Sequence, residues 1–130
     1  MELKVIGLDH IVIVTADVER SLAWYAGVLG LAGERVEEWR RGEVLFPSVR
    51  VSATTIIDLV HGVRSGTNVD HVCLVIEPQD LGALAESGRF DVVGGPGSRF
   101  GAQGNGEALY VCDPDGNTVE LRHYGGESSA

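Results

Sequence analysis

Four side chains able to ligate a metal or move a proton recur in matching local settings. Leu8-Asp9-His10-Ile11-Val12-Ile13-Val14-Thr15 and Val69-Asp70-His71-Val72-Cys73-Leu74-Val75-Ile76 each set Asp-His near the head of an apolar, β-branched-rich run, and the two histidines are 61 residues apart. Ile57-Asp58-Leu59 followed by His61 parallels Val119-Glu120-Leu121 followed by His123, with the carboxylates 62 residues apart. Two anchors that agree within one residue over half a chain mark an internal duplication. Side chains alternate between the faces of a strand. His10 therefore shares a face with Val12 and Val14, His71 with Cys73 and Val75, Asp58 with Ile56 and Val60, and Glu120 with Thr118 and Arg122. If the first and last strands of each half are neighbours, and the halves are related by a pseudo-twofold axis, then His10, Asp58, His71 and Glu120 converge. Imidazole and carboxylate donors suit one divalent ion, with Zn, Fe, Mn, Ni and Co all open. Two histidines and one carboxylate leave positions for water and substrate, which is a catalytic set rather than a closed structural one. A lone strand histidine is more often a core or edge residue, and a lone carboxylate usually faces solvent. It is the recurrence of both that favours a metal.

The elements that must position these groups are legible in outline. Asp17 suits a helix N-cap, Val18, Leu22, Tyr25 and Leu29 fall on one helical face, and Gly30 suits a stop. In the second half Pro78 suits a first turn, Leu81, Leu84 and Ala85 make a short apolar face, Gly82 weakens it and Gly88 ends it. Strands are expected over 34–40, 43–47 and 50–60, then over 90–93, 107–112 and 117–124. Asp113-Pro114-Asp115-Gly116-Asn117 reads as a type I turn joining the last two. Residues 94–106 hold six glycines, the composition of a mobile loop. The reading is one domain over 1–130, with module 1 at about 5–62, module 2 at about 68–124 and a flexible tail at 125–130.

Composition narrows the function classes. The chain has 130 residues, 44% hydrophobic and 22% charged, the profile of one globular domain. A formal net charge of −9 with no basic stripe argues against nucleic acid and anionic membrane as partners. No apolar run approaches the ~20 residues of a membrane span, and MELKVIGLDH lacks a signal-peptide layout, so a cytoplasmic location is expected. Cys73 and Cys112 both sit in apolar strand-like runs and read as small buried hydrophobes rather than a disulfide.

Taken with Ser21-Leu22-Ala23-Trp24-Tyr25 running to Leu29-Gly30, the first Asp-His strand resembles the vicinal oxygen chelate superfamily. That superfamily includes glyoxalase I, extradiol dioxygenases, thiol transferases of fosfomycin resistance and bleomycin-resistance proteins. Tyr110-Val111-Cys112-Asp113-Pro114-Asp115-Gly116-Asn117-Thr118-Val119-Glu120-Leu121 is the most specific part of the likeness, which runs over 5–124. The resemblance implies an α+β fold of two tandem βαβββ modules forming an eight-stranded open barrel or cup, with helices outside. It places the metal ligands on His10, His71 and Glu120 and the family's fourth position on Asp58, one methylene shorter than the Glu of glyoxalase I. It also implies a homodimer.

The same resemblance implies a chemistry in which two adjacent oxygens of a small-molecule substrate chelate the metal, which acts as a Lewis acid. The leading reading is a glyoxalase-like lyase or isomerase in which Glu120 or Asp58 is the catalytic base. An Fe(II) extradiol-type dioxygenase is the enzyme alternative, because His/His/Glu is also an oxygen-activating triad. A metal-free, bleomycin-resistance-like binding protein is the third, against which the retained ligands argue. Weaker substrate-contact candidates are Arg122, which could instead pair with Glu120, Arg99 in the glycine-rich stretch, and Cys73, for which a buried filler is the plainer role. Trp24 and Tyr25 read as core or interface. His61 and His123 face away from the carboxylates beside them and are not read as ligands. The glycine-rich stretch lacks a Gly-Lys-Ser/Thr ending and is no nucleotide loop.

Overall fold

The computed structural model describes residues 2–112 and 116–125. The fold is α+β, in paired βαβββ modules with short helices. In chain order it runs β1 (Val5–Thr15), α1 (Val18–Leu22) continued by a π-helical turn (Ala23–Val28), β2 (Ala32–Glu34), α2 (Val36–Arg40), β3 (Ser48–Ser52), β4 (Thr55–His61), β5 (Val69–Ile76), α3 (Leu81–Glu86), β6 (Asp91–Gly101), β7 (Gly104–Cys112) and β8 (Thr118–His123). The chain divides into two compact units, one of His10–Asp70 and one of the residues up to Asp9 with those from His71 on. Both divisions fall inside an Asp-His pair.

In the unit of His10–Asp70 the strands lie in the order β2-β3-β4-β1, antiparallel except for the parallel β4–β1 pair. Asp17 caps α1 by accepting the Arg20 N–H at 3.0 Å, which satisfies one of the donors every helix start leaves over. Val18 and Leu22 then fall one turn apart and pack with Val49 and Leu59, and Ile13, Tyr25 and Ile57 join the cluster. Helix and core thus cover one face of the sheet, and the other face carries His10, Ser48 and Asp58 together with buried Val12 and Ile56.

The other unit repeats the plan in the order β5-β8-β7-β6, with β5–β8 parallel and the rest antiparallel. Asp80 caps α3 through the Ala83 N–H at 3.1 Å. Leu81 and Leu84 bury against Ile76, Leu109, Val111 and Leu121. Each such side chain contributes about 1.5–3 kcal/mol by leaving water.

Several expectations are corrected. Residues 36–40 are the helix α2, not strand: Arg35 adopts a left-handed φ of 58° that ends β2, and Val36 and Trp39, three apart, turn onto the core. No strand covers 43–47. The 50–60 segment is the β3–β4 hairpin. Pro78 lies ahead of α3, whose first turn begins at Leu81. The glycine-rich stretch is no loose loop: it forms most of the long β6–β7 hairpin, with register shifts around Gly94 and Gly97. The first helix and its stop follow the sequence, Gly30 having φ 78°. The turn expected at 113–117 and the tail at 125–130 fall largely outside the described residues. Both cysteines are free, Cys73 fully buried and Cys112 partly so.

Candidate metal centre

Register is what brings each imidazole to its carboxylate. On β1–β4 His10 lies opposite Ile56 and Val12 opposite Asp58. On β5–β8 Cys73 lies opposite Glu120. In both units, therefore, the carboxylate faces the residue two beyond the histidine, on the same side of the sheet. The duplication seen in the sequence is reproduced as a duplicated parallel pairing.

In the first of these pairs His10 and Asp58 are buried, with side-chain exposures of 2% and 3%, and His10 Nε2 stands 3.8 Å from Asp58 Oδ2. The second Asp58 oxygen accepts the Ser48 hydroxyl at 2.5 Å, across the β3–β4 register pair. Ser48 thus fixes the carboxylate's orientation.

The His71–Glu120 pair is closer and more elaborate. His71 Nε2 is 3.1 Å from Glu120 Oε1, with side-chain exposures of 12% and 1%. Glu120 Oε2 is occupied by Arg122, which donates from Nη2 at 2.5 Å and Nε at 3.1 Å. Arg122 is itself fully buried and donates further to Cys73 Sγ at 3.3 Å and to the carbonyls of Arg99 at 3.1 Å and Phe100 at 2.9 Å. Asp9, also fully buried, stands 3.9 Å from Arg122 Nε, accepts the Ala102 N–H at 3.0 Å and accepts the Tyr124 hydroxyl. Burial by itself would loosen the Arg122 proton, but Glu120 and its other neighbours together outweigh it and hold the guanidinium above its usual range. Tyr110, paired with Glu120 across β7–β8, stands edge-on to His71 at 5.5 Å between ring centroids. Burial, and then the charge of Glu120, push its phenol up to about 12.

The donor chemistry fits a divalent ion. With metal–ligand bonds of about 2.1 Å, two ligands of one ion lie about 3.0–3.4 Å apart, and the His71–Glu120 separation of 3.1 Å falls in that span. Glu120 offers one oxygen, while Arg122 holds the other and matches the charge of the carboxylate.

Of the two roles the sequence left open for Arg122, the pairing with Glu120 is present. Cys73 is a buried filler that also accepts from Arg122. Arg99 lies on β6 with its guanidinium 5.9 Å from the Tyr110 ring centroid. Sequence reasoning missed Ser48, Asp9 and Tyr110 as participants. Ser48 has no signal beyond its register. Tyr110 could have been found from the alternation along β7, which turns it away from buried Leu109 and Val111.

Comparison with known proteins bears on the family and the fold. The sequence model of the Glyoxalase/Bleomycin resistance protein/Dioxygenase superfamily matches residues 7–121. A glyoxalase domain-containing protein of Mycosarcoma maydis is 28% identical over 95% of this chain and 71% of its own. A virulence protein of Salmonella typhimurium is 22% identical over 90% of this chain and 83% of its own. Among solved structures, the Mn(II)-bound glyoxalase of Novosphingobium aromaticivorans has the same fold at a TM-score of 0.66 and 16% identity, over 96% of this chain and 41% of that one. Methylmalonyl-CoA epimerase of Mycobacterium tuberculosis has it at 0.58 and 19% identity, over 96% and 92%.

Proposed function

The chain belongs to the glyoxalase/bleomycin resistance protein/dioxygenase superfamily, and on that premise we propose that it is a metal-dependent, glyoxalase-like lyase or isomerase. His10, His71 and Glu120 are the ligands of one divalent ion in this reading, and the substrate is a small molecule with two adjacent oxygens. The observation that carries it is the placement of Glu120: buried, with one oxygen held by Arg122 and the other 3.1 Å from an imidazole nitrogen. The solved Mn(II)-bound glyoxalase shows that this fold carries such an ion in another protein.

His10, His71 and Glu120 would hold the ion, which when bound would supply Lewis acidity toward the two substrate oxygens. The chain supplies the rest. Arg122 keeps Glu120 in one orientation, since both of its bonds go to the same oxygen. With Glu120 engaged on both sides, the proton falls to Asp58. Its Oδ1 is fixed by Ser48, and in this reading Oδ2, on the side of His10, accepts the proton and returns it.

The test is proton exchange. With small α-hydroxy ketones and 2-oxoaldehyde–thiol adducts in D2O, metal-loaded protein incorporates deuterium beside the carbonyl, read by NMR. Asp58→Asn reduces the rate at least about 100-fold, a general base's usual contribution, while metal content is unchanged. Loss of metal from Asp58→Asn would make Asp58 a ligand instead. Oxygen-dependent ring opening of a catechol, with no exchange, would make the protein a dioxygenase.

A further inference from the structure

The unit formed by the residues up to Asp9 with those from His71 on has a concavity away from the His71–Glu120 pair. Along β7 and β8 the pairs Glu107–His123, Leu109–Leu121 and Val111–Val119 lie on the helix-covered face, opposite to Glu120 and Arg122. Beyond the end of the apolar cluster this face opens into a cleft of about 880 Å³, bounded by the start of α3 and by the β6–β7 hairpin.

Its lining has a definite chemistry. His123 is only 4% exposed, yet its Nδ1 is buried with no hydrogen-bond partner among the described residues. Gln79, whose amide nitrogen donates to the Glu2 carbonyl, leaves its Oε1 buried and unpartnered as well. Buried polar atoms are nearly always satisfied, so two such atoms on one cleft ask for a ligand to satisfy them. Gln79 Oε1 accepts only, and imidazole Nδ1 accepts in its Nε2–H tautomer. Asp80 and Glu107 add carboxylates, and among the described residues no lysine or arginine lines the cleft. The Tyr124 hydroxyl is committed to Asp9, so Tyr124 contributes its ring as an apolar wall.

We propose that this cleft is a second ligand site, for a small organic cation bearing primary ammonium groups on a short carbon chain. The ammonium donors meet Gln79 and His123, the charge is matched by Asp80 and Glu107, and the chain lies on Tyr124. Three donors per ammonium suit a site whose unmet groups are acceptors. The site is independent of the metal reading.

The test uses full-length protein and 1,4-diaminobutane, with 1,4-butanediol and succinate as neutral and anionic counterparts of similar length. Diamine produces saturable NMR shifts in the His123 ring and in the Gly82 and Gly106 amides; the diol and the diacid do not. Glu107→Gln, at an exposed position, weakens diamine binding about tenfold without altering metal content. His123→Phe abolishes it, and if that variant fails to fold, Gln79→Leu reads the same contact. Equal shifts from diol or diacid, no saturation with diamine, or undiminished binding by Glu107→Gln would each overturn the proposal.

Discussion

A guanidinium with no exposed surface persists only where its charge is matched, and Arg122 is matched by Glu120 at contact and Asp9 at 3.9 Å. Taking the cation away leaves two buried carboxylates uncompensated. Arg122→Met is therefore expected to destabilise the protein by about 3–5 kcal/mol in urea unfolding, and to weaken metal retention because Glu120 loses its orientation. A neutral outcome would mean that water reaches the pair. Tyr124 gives a pH-dependent counterpart. Burial, then its bond to Asp9, push its phenol up to about 12. Sign and window follow: a raised folded-state pKa stabilises fully below the unfolded value near 10, and that stability drains as pH rises toward about 12. Tyr124→Phe should flatten this alkaline loss in thermal melts between pH 9 and pH 12. At this scale the sequence was partly legible. His10, Asp58, His71 and Glu120 stood out because they are duplicated. Ser48 did not, because a hydroxyl on one strand acquires meaning only from the residue opposite; Asp9 belongs to the duplicated Asp-His pair, but its partners Ala102, Arg122 and Tyr124 are remote in sequence.

At the scale of elements, the β6–β7 hairpin exists where glycine content pointed to a loop. Part of the reason is Gly101: a Cβ there would overlap Arg122 Nη1 and the Tyr124 hydroxyl. The small residue admits the arginine rather than loosening the chain. Gly101→Ala should thus reproduce much of the Arg122→Met loss, checked by the same unfolding curves; a change within about 0.5 kcal/mol, the range of an ordinary surface substitution, would refute that. In the His10–Asp70 unit, Arg50 on β3 donates to Glu34 on β2 at 2.5 Å and holds its carboxyl below the usual range, chiefly through that hydrogen bond. A lowered carboxylate pKa stabilises above the unfolded value near 4.3 and is lost as pH falls through the folded one. Glu34→Gln should remove a small acid-side dependence of stability. The pair is partly exposed, which keeps the effect modest. The cap and stop of the first helix and the strands bearing the ligands were readable from Asp17, Gly30 and the β-branched runs, whereas the Asp80 cap of α3 was not. Helix α2 was not, because Arg35 adopts a left-handed backbone that its residue type does not announce, and two apolar residues three apart were overridden by a β-like run.

At the scale of the whole molecule, the duplication supplies one imidazole–carboxylate pair per unit. Among the described residues no helix is long and apolar enough to cross a membrane. An ion bound to the native state alone stabilises it by mass action, by about 2.7 kcal/mol at a hundredfold excess over its Kd. The melting temperature should accordingly rise with added Mn(II), Zn(II) or Fe(II) and fall with chelator. The most direct measurement is metal content by mass spectrometry, on protein purified without chelator, for the wild type and for His10→Ala, His71→Ala and Glu120→Gln. One divalent ion per chain is expected, retained by the wild type and lost from each variant while all three remain folded. An ion retained undiminished by any of the three, or a wild type that binds none at saturating metal, would contradict it.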